Sequence, residues 1–338
     1  KLDATLEGTL TLSLDAGLEP TGVSVDLRAG PGAIDMRPHL ETAVAFESGV
    51  LRARSARRLN AIELETVSVD LGGPVVSISG DATRVVDRWN AGIVAEVSNL
   101  PVNAIETYWP PQLQPLSREW ITGNIRDGNV DSAVLRLSAT VPEIDPGALD
   151  FGSMDGEIRF RDATVHYLRP LEPARNVFGT ARFDSERFDV DIGGAALRDL
   201  VAETGRVQIE GLNGPPRSAT IKIEVTIAGP VRDAFEILDD EPLGFISGFG
   251  IDPARTGGNH RTNAVFAFPL INKVKVDQIA VATASRLVDF TVENAAFGFT
   301  VSNGDLTLNV DREGMEASGT AEIANVPVGL NWTESFVE

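Results

Sequence analysis

The sequence predicts an all-β protein of antiparallel strands with a few short helices. Three observations carry that prediction. Apolar residues recur at every second position in short runs, the period of strands with one buried face. Turn signals built on Gly, Pro, Asn and Asp break these runs roughly every 8–12 residues, the spacing of a meander. Helical periodicity is confined to a few stretches, so about twenty strands stand against roughly three or four short helices.

The first hundred residues read as that meander. Leu10, Leu12 and Leu14 alternate with Thr9, Thr11 and Ser13, and Val23, Val25 and Leu27 follow the same rule until Gly30-Pro31-Gly32 breaks the run. Ser48-Gly49 precedes Val50 and Leu51. Val67, Val69 and Leu71 alternate, Gly72-Gly73-Pro74 turns, and Val76 and Ile78 return. Asp81 is placed to cap a short helix through Val85, Val86 and Trp89. After Leu100-Pro101, the pair Pro110-Pro111 forbids one continuous helix, so two helical pieces are expected, around Ile105–Tyr108 and Leu116–Ile121. Asp127-Gly128 then turns the chain into a strand carrying Val134 or Leu135, followed by Leu137 and Ala139.

The grammar is densest from Met154 to Ile192. Asp155-Gly156 is a turn signal. Ile158 and Phe160 alternate with Glu157, Arg159 and Arg161, and the phase slips before Val165 and Tyr167, so a bulge or corner is expected near Asp162-Ala163. Pro170 and Pro173 end the run. Phe178, Ala181 and Phe183 mark a second strand; Phe188, Val190 and Ile192 mark a third, with Asp189 and Asp191 on its other face. Val207 and Ile209 follow, and Ile221, Ile223, Val225 and Ile227 show the cleanest alternation in the chain.

Gly229-Pro230 stops that strand. Val231, Phe235 and Leu238 share one helical face, closed by Asp239-Asp240-Glu241-Pro242. A Gly-rich passage runs from Gly244 to Gly258. Strands resume at Val265 to Phe268, Val274 and Val276, Ile279 and Val281, and Val288, Phe290 and Val292. Phe297, Phe299 and Val301 read as a further strand, joined by an Asn303-Gly304 hairpin to Leu306, Leu308 and Val310. Asp311 to Gly314 turns again toward Ala317 to Ile323. A polar residue followed by Gly precedes strands at irregular spacing, which is a repeated grammar rather than a fixed-period solenoid.

Composition excludes several classes of function. The 338 residues include 29 basic and 49 acidic side chains, a net charge of -20. Beyond Arg52, Arg54, Arg57 and Arg58 there is no basic cluster, so nucleic acid is not an expected partner. The same balance argues against electrostatic docking on an anionic bilayer. Hydrophobic residues make up 43%, too many for a disordered acidic chain. There is no cysteine, which removes disulfides and thiolate metal sites. No apolar run reaches the ~18 residues of a spanning helix. The start at Lys1, already in strand register, reads as an excised or processed segment.

Catalytic constellations are sparse. The histidines are His39, His166 and His260, none with a metal-ligand neighbour at helix or turn spacing. His166 falls on the outward face of a strand and His260 in a Gly-rich loop. Asp239-Asp240-Glu241 reads as the solvated end of a helix, with carboxylate chemistry as the sharper alternative. Gly244, Gly248 and Gly250 miss the dinucleotide spacing. No catalytic residue, metal or cofactor is expected.

Strands with one apolar face need that face covered, and the expected helices are too few to do it. Three solutions follow: the sheet packs on itself as a sandwich, closes as a barrel, or curls into a trough whose lining meets something else.

The order of features is similar to the AsmA-like superfamily, specifically its YhdP-like branch. Leu100-Pro101, Tyr108-Trp109-Pro110, Arg118-Glu119-Trp120 and Asp127-Gly128 resemble that branch's leucine-proline step, tyrosine-proline region, tryptophan-bearing helix and Gly-turn. Asp155-Gly156 through Tyr167 and Pro170, and the helix from Val231 to Leu243, continue the likeness. Asn303-Gly304, the Gly319 strand and Asn331-Trp332 resemble the AsmA-like C-terminal region. Three segments are expected: a meander over 1–99, a central YhdP-like domain over 100–245 and an AsmA-like segment over 246–338, with one continuous sheet as an option.

The resemblance implies a long, highly twisted antiparallel sheet curled into a hydrophobic groove. It implies a periplasmic place in a Gram-negative envelope, tethered to the inner membrane in the full-length protein, and phospholipid transfer between inner and outer membranes without enzymatic chemistry. Phospholipid acyl chains would be the ligand. The membranes would be reached through other parts of the protein, and envelope proteins are possible partners. Strand period nominates the groove lining as Ile158, Phe160, Phe188, Val190, Ile192, Ile221, Ile223, Val225, Ile227, Phe297, Phe299 and Val301. The competing expectations are a closed structural or assembly module of the envelope, and a hydrolase of an envelope polymer using Asp239 and Asp240.

Overall fold

The computed structural model describes residues 2–37, 40, 42–56, 58–111, 115–142, 150–215, 218–271, 274, 278–294 and 298–336. Strands make up 67% of the chain and helices 11%. The sheet is antiparallel and open, so neither a closed sandwich nor a closed barrel is formed. Two compact units divide the chain. The first holds residues 1–163 and 181–185, the second 164–180 and 186–338.

In the first unit, β1 (Leu2–Leu14), β2 (Pro20–Ile34), β4 (Ser48–Ala56), β5 (Ala61–Asp70), β6 (Val75–Val85) and β7 (Arg88–Pro101) bond each to the next, with β3 (Val44–Phe46) a short addition beside β2. The chain then leaves the sheet through α1 (Ile105–Tyr108) and α2 (Pro115–Asn124). It returns by β8 (Ile125–Arg126) into β9 (Asn129–Pro142), which pairs with both β7 and β10 (Asp150–Val165). Both expected helical pieces are present, and the break between them falls at the two prolines. Arg118 holds the excursion together, donating to the carbonyl oxygens of Trp109 at 3.1 Å and Glu106 at 3.2 Å.

The second unit contains most of β11 (Ala174–Asp184), then β12 (Arg187–Leu197), β13 (Leu200–Glu210) and β14 (Thr220–Pro230). α3 (Val231–Asp239) and α4 (Phe245–Gly248) interrupt the run. β15 (Thr256–Pro269), β16 (Ala280–Val292), β17 (Val301–Val310), β18 (Gly314–Ile323) and β19 (Val326–Ser335) complete it, and β12 through β19 pair in sequence order. A buried cluster lies where α3 meets the sheet: Val231 with Leu287, Phe290, Val292 and Leu306. The Phe235 ring meets Phe290 edge-on, with centroids 6.4 Å apart.

Several local expectations are corrected. No helix follows Asp81: Thr83 pairs with Asn90 and Val85 with Arg88, leaving Val86-Asp87 as a two-residue hairpin loop with Val86 at φ +61. Gly30-Pro31-Gly32 does not break β2, which runs to Ile34. Asp155-Gly156 and Asn303-Gly304 are not turns, but lie inside β10 and β17. The reason is a ring rather than a turn at each glycine. A Cβ at Gly156 would lie 2.5 Å from Phe183 Cζ, and one at Gly304 would lie 3.3 Å from Phe290 Cδ1. Asn303 takes a positive φ and produces a register shift in β17 instead of a hairpin. At Asp162 the expected slip appears as φ +56 within β10. His260 is not in a loop; β15 begins at Thr256, well before the Val265 start read from periodicity. His166 follows the end of β10 rather than lying in a strand, and His39 falls outside the described residues.

Candidate functional site

The registers place apolar side chains in rows that cross the sheet. In the first unit Leu27, Leu51, Val67, Ile78, Ala95 and Leu135 are successive partners on β2, β4, β5, β6, β7 and β9. A neighbouring row runs through Val69, Val76, Val97 and Ala133 to Ile158. Another reaches Leu10 on β1 through Val25 and Ala53. The inner members are half-buried, whereas Leu10 is 71% exposed and Leu12 54%. The contacts of α1 and α2 run chiefly to each other, the adjacent 3-10 turn and β8.

The second unit repeats the arrangement. Phe188 faces Ile209, which faces Ile221, which faces Phe268. Val190, Val207, Ile223 and Phe266 form the next row, and Ile192, Gly205, Val225 and Ala264 the third. Seven expected lining residues therefore share one face, Ile227 being the next alternate position after Val225 on β14. Ile158 and Phe160 share a face of β10, with Phe160 opposite the buried Val130. Val301 packs instead against the cluster under α3. Phe299 precedes β17 and is 51% exposed, and Phe297 lies outside the described residues. Phe266 and Phe268 share this face as the partners of Ile223 and Ile221, in phase along β15 with Ala264, Thr262 and His260.

The opposite face is polar and ion-paired, between neighbouring strands in three of the following pairs and across β14, from β13 to β15, in the fourth. Arg54 pairs with Glu63 at 2.6 Å, Arg161 with Asp131 at 2.8 Å, Arg182 with Glu157 at 2.9 Å and Arg261 with Glu203 at 2.7 Å. Hydrogen bonds from Asn129 and Arg161 hold the Asp131 carboxyl below the usual range, and Arg182 does the same for Glu157. Such exposed pairs add little stability each. Their consequence is orientation, since this face is solvated and the apolar face is what remains to be covered.

Surface area bears this out. Two globular domains sharing a 36.1 kDa chain equally would expose about 16,000 Å² together. This chain exposes 20375 Å². Among the described residues, Val231 is the one large side chain below 2% exposure. Within each unit, the described residues supply no second layer of comparable extent against these apolar rows.

A family model described as YhdP protein matches residues 3–332. The chain belongs to the YhdP family. It is a YhdP-like AsmA-type protein, and the YhdP match takes in residues of both units. No curated protein and no solved structure matches the chain.

The carboxylates considered for catalysis are engaged structurally in this YhdP-family chain. Asp239 Oδ1 accepts from the Ser247 backbone N–H at 2.7 Å, and Asp240 pairs with Arg198 at 2.7 Å. Arg198 also reaches Glu236 at 3.0 Å, and the Asp199 N–H donates to Asp233 at 3.0 Å, so the β12–β13 turn clasps α3 at both ends. Among the described residues no group of three or more His, Asp or Glu is placed to hold a metal, and no helix is long and apolar enough to cross a membrane.

Proposed function

We propose that this chain is a non-enzymatic lipid-conducting surface. Phospholipid acyl chains lie along its apolar face, and it serves phospholipid transfer between the inner and outer membranes from the periplasm, tethered to the inner membrane in the full-length protein. The observation that supports this reading best is the set of uninterrupted apolar rows, each crossing several strands, over which the described residues of the same unit lay no protein layer of matching extent. Curling of the sheet would turn these rows into a groove. Acyl chains would replace water over the lining at about 25 cal/mol per Å² of apolar surface removed. Head groups would stay at the wet edge, because burying a phosphate costs far more than such contacts return. Rows of Val, Ile, Leu and Ala offer similar affinity at each step, which lets a chain slide without stalling. Membership of the YhdP family supports the same reading.

Native mass spectrometry of the purified protein, with organic extraction of what comes off, tests it. Retained phospholipid, lost when charges are placed along the rows, is the expected result. A clean ligand-free mass and no exchange of added fluorescent phospholipid would count against it and return the chain to a structural role in the envelope.

A further inference from the structure

On β19, the last strand, the apolar face of the second unit meets a group of a different kind. The row through Val225 and Ala264 continues through Thr283, Val310 and Met315 and reaches Glu334. Every member before Glu334 is uncharged. The neighbouring row runs from Ser285 through Leu308 and Ala317 to Trp332. The Phe336 N–H donates to the Glu313 carbonyl at 2.9 Å, which carries the alternation one step past Ser335. Trp332, Glu334 and Phe336 therefore stand at successive alternate positions on the apolar face.

Phe249, from the segment after α4, comes down on this group. Its ring centroid lies 6.2 Å from that of Trp332, at an interplanar angle of 85°, and 6.2 Å from that of Phe336, at 48°. It thus bridges the two rings that flank Glu334. Ile246 is buried and Ile251 packs on the cluster under α3, which fixes the segment on both sides of Phe249. The three rings touch without covering one another: Phe249 and Trp332 are 41% exposed and Phe336 45%. Glu334 is exposed as well, and its Oε2 accepts from Trp332 Nε1 at 3.4 Å, which sets the carboxylate at the rim of the indole. A solute can therefore reach both the rings and the carboxylate. Aromatic faces carry partial negative charge and attract cations. A carboxylate among them adds to that attraction and repels an anion.

We propose that Phe249, Trp332, Phe336 and Glu334 form a binding site for an ammonium head group whose alkyl chain lies along the apolar rows that arrive at β19. The inference rests on the ligand-bearing reading of the face and adds a head-group class and a place to it. The chain replaces water over the half-buried Leu308 and Met315, and the head, still partly hydrated, meets the rings and pairs with Glu334. One exposed cation–π contact corresponds to about two- to fivefold in affinity, and an exposed charge pair to a similar factor. Together they favour an ammonium over an uncharged head by about tenfold.

The test titrates octanol, octylammonium and methylammonium into the intact protein at about 150 mM salt, which screens the general attraction of cations to an acidic chain. The 15N-labelled indole N–H of Trp332, assigned with a Trp332→Phe variant, reports binding at this place. Octylammonium is expected to move that resonance and to bind about tenfold tighter than octanol, and methylammonium, which brings no chain, to bind far more weakly than octylammonium. Glu334→Gln and Phe249→Leu should each weaken octylammonium by about two- to fivefold and leave octanol unchanged. Equal affinities for octanol and octylammonium would overturn the site while leaving the ligand-bearing face intact, and would assign the rings to holding the α4 segment on the sheet. Methylammonium binding as tightly as octylammonium would overturn the link between head and chain. Failure of both octyl compounds to bind would overturn the face and the site together. The titration of the unsubstituted protein decides among these even where Phe249→Leu loosens the α4 segment.

Discussion

Ile223 stands directly opposite Phe266 across the β14–β15 pair and opposite Val207 across the β13–β14 pair, at the middle of an apolar row. All three side chains are half-buried. The row is therefore built like a core and left open like a surface, and the predictions below exploit that difference.

Ile223→Asp places a charge in this row. Because Ile223 keeps part of its surface in water, the carboxylate can stay solvated, and the fold should lose about 1 kcal/mol. Ligand occupancy should fall much further, since an acyl chain would have to cover the charge. Lipid retained in native mass spectra, set against thermal unfolding of the same sample, reads both effects. A melting temperature that collapses in step with the loss of lipid would show that the residue serves the fold alone.

Gly156→Val drives a side chain into the Phe183 ring, whose Cζ lies 2.5 Å from where a Cβ would stand. Overpacking of this kind costs about 1–3 kcal/mol. Gly329→Ala, at an exposed position with nothing within 4 Å, is the control and should change stability little. Urea midpoints of the two variants check the contrast, and equal midpoints would remove the ring-seat explanation for Gly156.

Arg198→Ala opens the clasp on α3. The guanidinium joins Glu172, Glu236 and Asp240, and its side chain is 21% exposed, so its loss should cost about 1–2 kcal/mol. Hydrogen exchange of the α3 amides should quicken while β14 and β15 stay protected. Unchanged α3 protection would mean that Val231 and Phe235 alone hold the helix in place.

Acid should weaken the fold in two stages. His260 binds its proton less readily when folded than at its ordinary value of 6.5, so its contribution is complete above pH 6.5 and declines as pH falls below it. Asp131 is held below its ordinary 3.8, so its contribution is present above that value and is lost as pH falls further, through its folded-state value. Denaturant midpoints measured from pH 8 to pH 3 should therefore begin to drop near pH 6.5. His260→Phe should remove that first stage and leave the acid-most one, and a variant with the same first stage would assign it to another group.

The sequence by itself determined the strand content, the two proline-separated helices, α3 and the apolar phase of β12, β13 and β14. These follow from local rules: period two puts Phe188, Val190 and Ile192 on one face whatever they meet, and Pro110-Pro111 ends a helix in any context. The resemblance carried by Leu100-Pro101, Tyr108-Trp109-Pro110 and Arg118-Glu119-Trp120 pointed to the family that the match over residues 3–332 establishes.

Tertiary structure alone decided three things. It decided that Asp155-Gly156 and Asn303-Gly304 seat aromatic rings inside strands, because Phe183 and Phe290 arrive from partners that local sequence does not name. It decided that His260 belongs to the apolar face, because the Gly-rich segment before it joins β15 only through pairing with β14 and β16. And it decided that the apolar rows stay open. Alternation states that a face must avoid water, but whether another layer, the same sheet or a ligand covers it depends on residues far apart in the chain, and on how much surface their packing leaves exposed.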